Sequence, residues 1–545
     1  MRIAAAQINP VVGDLKANAE KILSAYQQAA EKGVQLVVFP EMSISGYPPE
    51  DLLFKKHFLN DCLKTSRKLA EKCNGPAIIF GSPNCDKGGC FNSLFLASGG
   101  EIQTIYNKMQ LPNYGVFDER RYFSTGKTPL CFDVAGISVG LSICEDIWEP
   151  EQLELYRNLF PGMDIFVNIS ASPFHKGKIE ERKQIISNCS KKLQVPVIYC
   201  NLVGGQDELV FDGRSIITDS AGNIIAKANY FEEDIIYADL RKSDGETDII
   251  ACQEKAPQPR NVVEEVYEAL VLGTGDYVRK NGFEKVIIGI SGGIDSALAA
   301  AIAVKALGSE NVFGITMPSK FNKSETITDA ELLARNLAIS FKTVPISETL
   351  SAFHKALSLI PGWDDSGTAY ENLQARIRGT ILMSLSNQFG YMVLTTGNKS
   401  ETAVGYSTLY GDTAGGFAVI KDVTKTMVYR LSRYINEKFG ELIPESTITR
   451  PPSAELREEQ IDADSLPDYD LLDALIKGYV EQDKSADQLR NEGCKTEDIN
   501  RVLRMVDFNE YKRRQSPPGI KITPKAFGRD RRLPITNKYR SQVRE

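Results

Sequence analysis

The run SGGIDS at residues 291–296 sits between the apolar stretch KVIIGI and the helix-forming ALAAAIAVKAL. Gly292 and Gly293 let the backbone turn tightly without Cβ clashes, so that successive N–H groups and a helix N-terminus face an anion. No GK[ST] follows and no lysine stands ready for the β and γ phosphates, which separates this loop from the Walker type. Ser291, Ser296 and Asp295 surround the glycines instead, a set suited to a pyrophosphate held by hydroxyls, amides and a bound Mg2+. Cleavage of ATP between its α and β phosphates is the chemistry such a loop implies. A serine-capped strand-to-helix turn is the plainer account of any SGG triplet, and the flanking strand and helix argue against it here.

Three stretches of the first half, VVFPEMSISGY, IYNKMQLPNYGVFDERRYF and SVGLSICEDIWEP, resemble the nitrilase superfamily in motif and order. Glu41 falls at the end of a buried strand, where desolvation raises a carboxyl toward the range useful in a general base. Lys108 brings an ammonium able to stabilise a tetrahedral oxyanion and orient the glutamate. Cys144 follows a strand and precedes a helix, so a helix N-terminus and a nearby cation are expected to favour its thiolate. Taken singly, each has an ordinary reading as a buried thiol, a cap or a surface lysine. The resemblance extends, less densely, to glutamine binding by Tyr114, Ser172 and Lys178.

In the second half, ENLQARIRGTILMSL reads as a helix with Glu371, Gln374 and Arg378 on one face and Asn372 and Arg376 on a neighbouring strip. A solvated face is the plain account of that pattern. LTTGNKSE then ends a strand and presents Glu401, and polar groups at strand C-termini are where open α/β sheets bind ligands. With YGDTAGGF, DVTK, PPSAELR and EYKRRQ these segments resemble the synthetase domain of NAD+ synthetases. That resemblance implies ATP contacts from Gly289, Ile290, Ser291, Gly292, Gly293, Ile294, Asp295 and Ser296, with Thr396, Lys425 and Ser453. It implies Mg2+ ligation by Asp295 and Glu401, and deamido-NAD+ contacts from Asn372, Glu401 and Lys512. Ammonia-dependent relatives carry a lysine before YGD and an aspartate near Gly416. This chain has Leu409 and glycine there, so those two contacts are not carried over.

Fused, the halves resemble the glutamine-dependent NAD+ synthetases over nearly the whole chain. The resemblance implies that a glutaminase frees ammonia through a glutamyl thioester and that a second domain adenylates deamido-NAD+, ammonia then displacing AMP. Deamido-NAD+, ATP and L-glutamine or ammonia are the implied partners, with dimerisation or larger assembly through the second half and an internal passage for ammonia. GMP and asparagine synthetases match only around SGGIDS, and Arg2, not cysteine, follows Met1. A tRNA-thiolating enzyme would want paired cysteines and a basic surface, and an inactive nucleotide-binding protein has no use for Cys144, Glu41, Lys108 and Asp295.

These residues need a scaffold of two α/β domains. At 545 residues the chain exceeds one core. Numerous short strands and helices fill residues 1–245, expected as a nitrilase-like α-β-β-α sandwich; polar residues 246–261 read as a linker. Residues 262–545 are expected as a Rossmann-like parallel sheet with a mainly helical C-terminal extension. Hydrophobic residues make up 42% and charged residues 25%, no apolar run is long enough for a bilayer, and no signal-peptide pattern opens the chain. A cytoplasmic protein with mostly reduced thiols is the expectation for its ten cysteines. A net charge of -7 gives no general attraction to nucleic acid, and three scattered histidines with no CxxC pair offer no zinc site.

Overall fold

Alternation along the first strand already requires two cores. In the computed structural model, which describes residues 1–86, 88–243, 246–252, 261–364 and 367–543, Ile3 and Ala5 of strand Arg2–Gln7 enter one apolar cluster while Ala4 and Ala6 enter another. The chain divides into two compact units, Met1–Arg260 and Asn261–Glu545.

The first unit holds a seven-stranded sheet in the spatial order Glu246–Ala251, Asp234–Ser243, Arg2–Gln7, Leu36–Val38, Ala77–Asp86, Gly89–Ser98, Glu101–Asn107. A six-stranded sheet runs Ile224–Lys227, Ile216–Thr218, Val197–Asn201, Ile165–Ser170, Ile137–Ile143, Leu130–Val134. Their facing sides share one core, in which Leu36, Leu94, Val139 and Ile198 are fully buried. Helices Leu15–Glu31 and Lys56–Lys72 cover the outer face of the first sheet, and Pro150–Leu159 and Lys178–Leu193 that of the second. This is the expected α-β-β-α sandwich. Truncating Ile169, fully buried between the sheets, to Ala should cost about 2–5 kcal/mol, read as a lower denaturation midpoint for this unit in calorimetry.

The segment read as linker begins otherwise. Glu246–Ala251 pairs antiparallel with Asp234–Ser243 as the edge of the sheet. Its polarity belongs to the solvent side of an edge strand: Ile249 is buried while Ile250 is 44% exposed. The rest of the expected linker, residues 253–260, lies outside the described residues.

In the second unit five parallel strands are ordered Ser340–Thr343, Val312–Thr316, Val286–Gly289, Met392–Thr395, Phe417–Ala418. Helix Ile294–Leu307 follows the central strand and is apolar on nearly every side, as a helix enclosed by sheet and helices must be. Helices Tyr469–Ile476, Ala486–Asn491 and Thr496–Phe508 gather around Leu472, Leu475, Leu503 and Val506. The helical extension is shorter than expected, because helix Glu510–Arg513 is the last regular element of the described residues. Pro517, Pro518, Pro524 and Pro534 interrupt any helix beyond it. Among the described residues no helix is long and apolar enough to cross a membrane.

Candidate functional site

Glu41 lies just beyond strand Leu36–Val38, and its approach to the neighbouring strand requires glycine there: a Cβ on Gly81 would stand 2.2 Å from the Met42 nitrogen. The carboxylate is buried and held at both oxygens. Its Oε1 accepts from Asn92 Nδ2 at 2.6 Å and Lys108 Nζ at 2.7 Å, and its Oε2 from the Ala171 amide at 2.8 Å. Lys108 Nζ also reaches Glu119 Oε1 at 2.9 Å, which in turn accepts from the Tyr47 hydroxyl. Burial opposes the charge on Lys108, yet Glu119 and Glu41 hold its ammonium well above the ordinary lysine range. Burial pushes Glu119 up to about 7, against the pull of Lys108. Glu119 is a residue the sequence does not single out; it lies on a short 3-10 turn in a loop with no periodicity to mark it.

Cys144 opens another 3-10 turn, Cys144–Ile147, directly after strand Ile137–Ile143, and its φ of 44° is a left-handed conformation that a non-glycine residue keeps only under constraint. Asp146 supplies the constraint. Its carboxylate accepts from the amides of Ile143, Met109 and Gln110 and from the Tyr106 hydroxyl, so it binds the cysteine turn to the segment that carries Lys108. The expected preformed thiolate is corrected by this environment. Burial first, then the charges of Glu41, Glu145 and Glu119, raise the Cys144 thiol well above its usual value, and Lys108 only partly counters them. A four-residue turn also lacks the aligned dipoles of the helix N-terminus expected there.

Of the residues expected to hold glutamine, Tyr114 is exposed and donates to Glu145 Oε1 at 2.9 Å, beside Cys144. Lys178 begins helix Lys178–Leu193 and stands 4.0 Å above the Trp148 ring, paired with Glu181. Ser172 is buried, with its hydroxyl on Arg182.

In the second unit the turn 291–296 leaves strand Val286–Gly289 and enters helix Ile294–Leu307. Gly292 has φ +84°, and a Cβ there would meet the Thr326 carbonyl oxygen at 2.1 Å. Ser296 Oγ receives the Ser291 amide at 3.2 Å and donates to the Gly293 carbonyl at 2.9 Å, while the Gly293 amide reaches Ser291 Oγ at 3.2 Å. Asp295 accepts from Asn398 Nδ2 at 2.9 Å and from Lys425 Nζ, which also lies 3.3 Å from Glu401 Oε1. Asn398 and Glu401 form a capping box on helix Lys399–Val404, which fixes the glutamate after strand Met392–Thr395. Burial and the neighbouring Asp295 push Glu401 up to about 8, with Lys425 pulling the other way.

The turn 289–296, Thr396, Glu401, Lys425 and Ser453 all line one cavity of ≈ 310 Å³. Lys512 lies instead on a small adjoining cavity that shares Glu401, its Nζ bound to the carbonyls of Gly405 and Ser407. Asn372 lines neither; its Oδ1 accepts from Thr408 Oγ1 at 2.7 Å, and Thr408 lines the larger cavity. The plain account of this helix face as solvated does not hold for Gln374 and Arg378. Gln374 is fully buried with its amide on the Leu456 carbonyl, and Arg378 lines the cavity, bound to the Met317 carbonyl and Asn322. Leu409 offers its carbonyl to Arg376, and Gly416 follows the backbone of Val393 with Met392 against it. Among the described residues no group of three or more His, Cys, Asp and Glu could hold a metal ion, and all ten cysteines are free.

Residues 2–248 match the carbon-nitrogen hydrolase family and residues 266–516 the NAD synthase family. The glutamine-dependent NAD+ synthetase of Thermotoga maritima is 43% identical over 574 aligned residues, with 100% of both chains covered. That of Aquifex aeolicus is 44% identical over 572, covering 99% of this chain and 100% of its own. Among solved structures, the glutamine-dependent NAD+ synthetase of Acinetobacter baumannii in complex with ADP superposes with a TM-score of 0.79 at 40% identity, covering 99% of each chain. The Cytophaga hutchinsonii structure, at 23% identity, shares the fold with a TM-score of 0.84 over 99% of this chain and 98% of its own.

Proposed function

The chain belongs to the glutamine-dependent NAD+ synthetases, and from that premise we propose how its two sites divide the work. The enzyme amidates deamido-NAD+ to NAD+ with ATP, using ammonia released from glutamine. Residues 1–245 act as the glutaminase and residues 262–545 as the synthetase. What supports this division most is the buried Glu41–Lys108–Glu119 ion cluster beside a constrained Cys144.

Because the Cys144 thiol is held protonated, it needs a base at the moment of attack. Its proton passes to Glu41 as the sulfur adds to the glutamine amide carbon, and the oxyanion forms near the Lys108 ammonium. Collapse breaks the C–N bond, ammonia leaves with the proton from Glu41, and a glutamyl thioester remains. Glu41 then deprotonates a water that releases glutamate and restores the thiol. Tyr114, Ser172 and Lys178 hold glutamine, Tyr114 and Lys178 beside Glu145.

In the synthetase, the amides and hydroxyls of residues 291–296 grip the leaving pyrophosphate while the nicotinate carboxylate attacks the α phosphorus; ammonia then displaces AMP from the acyl adenylate. Thr396, Lys425 and Ser453 line the ATP cavity, Glu401 and Lys512 receive deamido-NAD+ in the adjoining one, and Asn372 acts through Thr408. Asp295 and Glu401 suit Mg2+, since two carboxylates sharing the single ammonium of Lys425 favour a further hard cation. Bound there, the ion would neutralise developing phosphate charge. The enzyme works in the cytoplasm as a homo-oligomer paired through its synthetase domain; sedimentation against concentration checks the assembly.

NAD+ and AMP formation from deamido-NAD+, Mg-ATP and either nitrogen source tests the assignment. Glu119→Gln should lower glutamate release by about 10²-fold and spare the ammonium-driven reaction. Burial pushes Glu119 up to about 7, so glutamate release should rise with pH through about that value and level off above it. In Glu119→Gln that limb should vanish from the pH profile of kcat/KM; an unchanged profile would show that Glu119 only packs the site.

A further inference from the structure

Two thiols that the reaction does not use face one another across a hairpin. In the antiparallel pairing of Ala77–Asp86 with Gly89–Ser98, Cys85 is the direct partner of Cys90. Which kind of pair they form is set by the carbonyls of their strand. The Cys90 carbonyl accepts from the Ser124 amide at 2.7 Å, and the Asn92 carbonyl, two residues on, accepts from the Lys108 amide at 2.9 Å. Both therefore point away from the Cys85 strand. The two cysteines thus form a non-hydrogen-bonded pair, the kind in which Cα atoms lie about 4.5 Å apart and side chains come closest. That separation falls inside the range a disulfide spans. The Cys85 side is exposed and the Cys90 side half-buried. The neighbouring Cys90 holds the Cys85 thiol below its ordinary value, while the Cys90 thiol is itself raised.

We propose that Cys85 and Cys90 are a redox modification site at which a peroxide closes a disulfide and slows glutamine hydrolysis. The Cys85 sulfur attacks one peroxide oxygen, the O–O bond breaks, and a first water leaves with the Cys85 proton; Cys85 becomes a sulfenic acid. The Cys90 sulfur then attacks that of Cys85, the S–O bond breaks, and the hydroxyl leaves as a second water with the Cys90 proton. Two electrons pass from the sulfurs to the peroxide.

The consequence is local because side chains two apart share a face. Asn92 lies on the same face as Cys90 and holds Glu41 at 2.6 Å. Cys90 itself packs against the cluster that contains Met42 and Tyr47, the latter donating to Glu119. A bond between the two sulfurs fixes the Cys90 side chain against this cluster and restrains the strand that positions the base. The effect rests on the glutaminase reading of the first unit, and its readouts are separate from that reading, which the Cys144 variant tests.

The full-length enzyme is treated with hydrogen peroxide, mapped as unreduced peptides, and assayed with glutamine and with ammonium before and after dithiothreitol. A linked Cys85–Cys90 peptide is expected, with a glutamine-dependent rate lowered between about 10- and 100-fold, restored by dithiothreitol, and an unchanged ammonium rate. Cys85→Ser should keep its glutamine-dependent rate under the same treatment. Absence of the linked peptide, a linked peptide with an unaltered rate, or equal loss in Cys85→Ser, which would place the oxidation at Cys144, each overturns the proposal.

Discussion

Cys144→Ala is expected to lose NAD+ formation from glutamine by at least about 10³-fold while NAD+ formation from ammonium continues. Removing one sulfur from a position 4% exposed leaves the surrounding hydrogen bonds in place, because Asp146 grips the turn through the backbone of Ile143, Met109 and Gln110 and not through the thiol. The variant is therefore expected to fold, and what it lacks is the atom proposed to form the thioester. Glu41→Gln should show the same division for a different reason: the thiol is raised well above its usual value, and the base proposed to take its proton is gone. Assaying both nitrogen sources side by side checks this. Loss of both at once, with an unfolded circular-dichroism spectrum, would point to structure; retention of glutamine use would remove Cys144 from the chemistry.

The parts of these sites legible in the sequence are those in which a local constraint forces a residue type. Gly292 is legible because a tight strand-to-helix turn needs its positive φ; the Thr326 carbonyl 2.1 Å from a notional Cβ adds a tertiary demand the sequence does not display. Cys144 and Glu41 are legible because each ends a strand whose apolar run is visible. Glu119, Asp146 and Asn92 carry no such mark. They matter only because three separate segments converge on Lys108 and Cys144, and convergence is tertiary. The state of the thiol is hidden for the same cause: a nearby cation is one influence, and burial among Glu41, Glu145 and Glu119 outweighs it. Helix spacing alone leaves Gln374 open to a solvated account because it says nothing of Leu456, which arrives from elsewhere in the chain to accept its amide. The edge strand Glu246–Ala251 is disguised by its own polarity, since an edge needs only one apolar side.

Asp295→Asn should remove NAD+ and AMP formation from both nitrogen sources by about 10²- to 10³-fold, with glutamate release persisting. The substitution keeps size and shape, and the turn's own hydrogen bonds run between Ser291, Gly293 and Ser296 without using the Asp295 side chain. Its effect is therefore on charge. Lys425 sits between Asp295 and Glu401, each holding it in place; with one carboxylate gone, the ammonium is expected to swing toward Glu401, and the pair proposed for a divalent cation is reduced to one. The pattern is the opposite of that expected for Cys144→Ala: there one nitrogen source fails and the ligase survives, here the ligase fails whatever the source. Measuring pyrophosphate release alongside glutamate release separates the two. If Asp295→Asn still forms AMP from ammonium at the wild-type rate, the turn binds some other phosphate and the adenylation site lies elsewhere in the cavity; if both rates fall and glutamate still appears, the two halves of the chain carry separable chemistry joined only by ammonia.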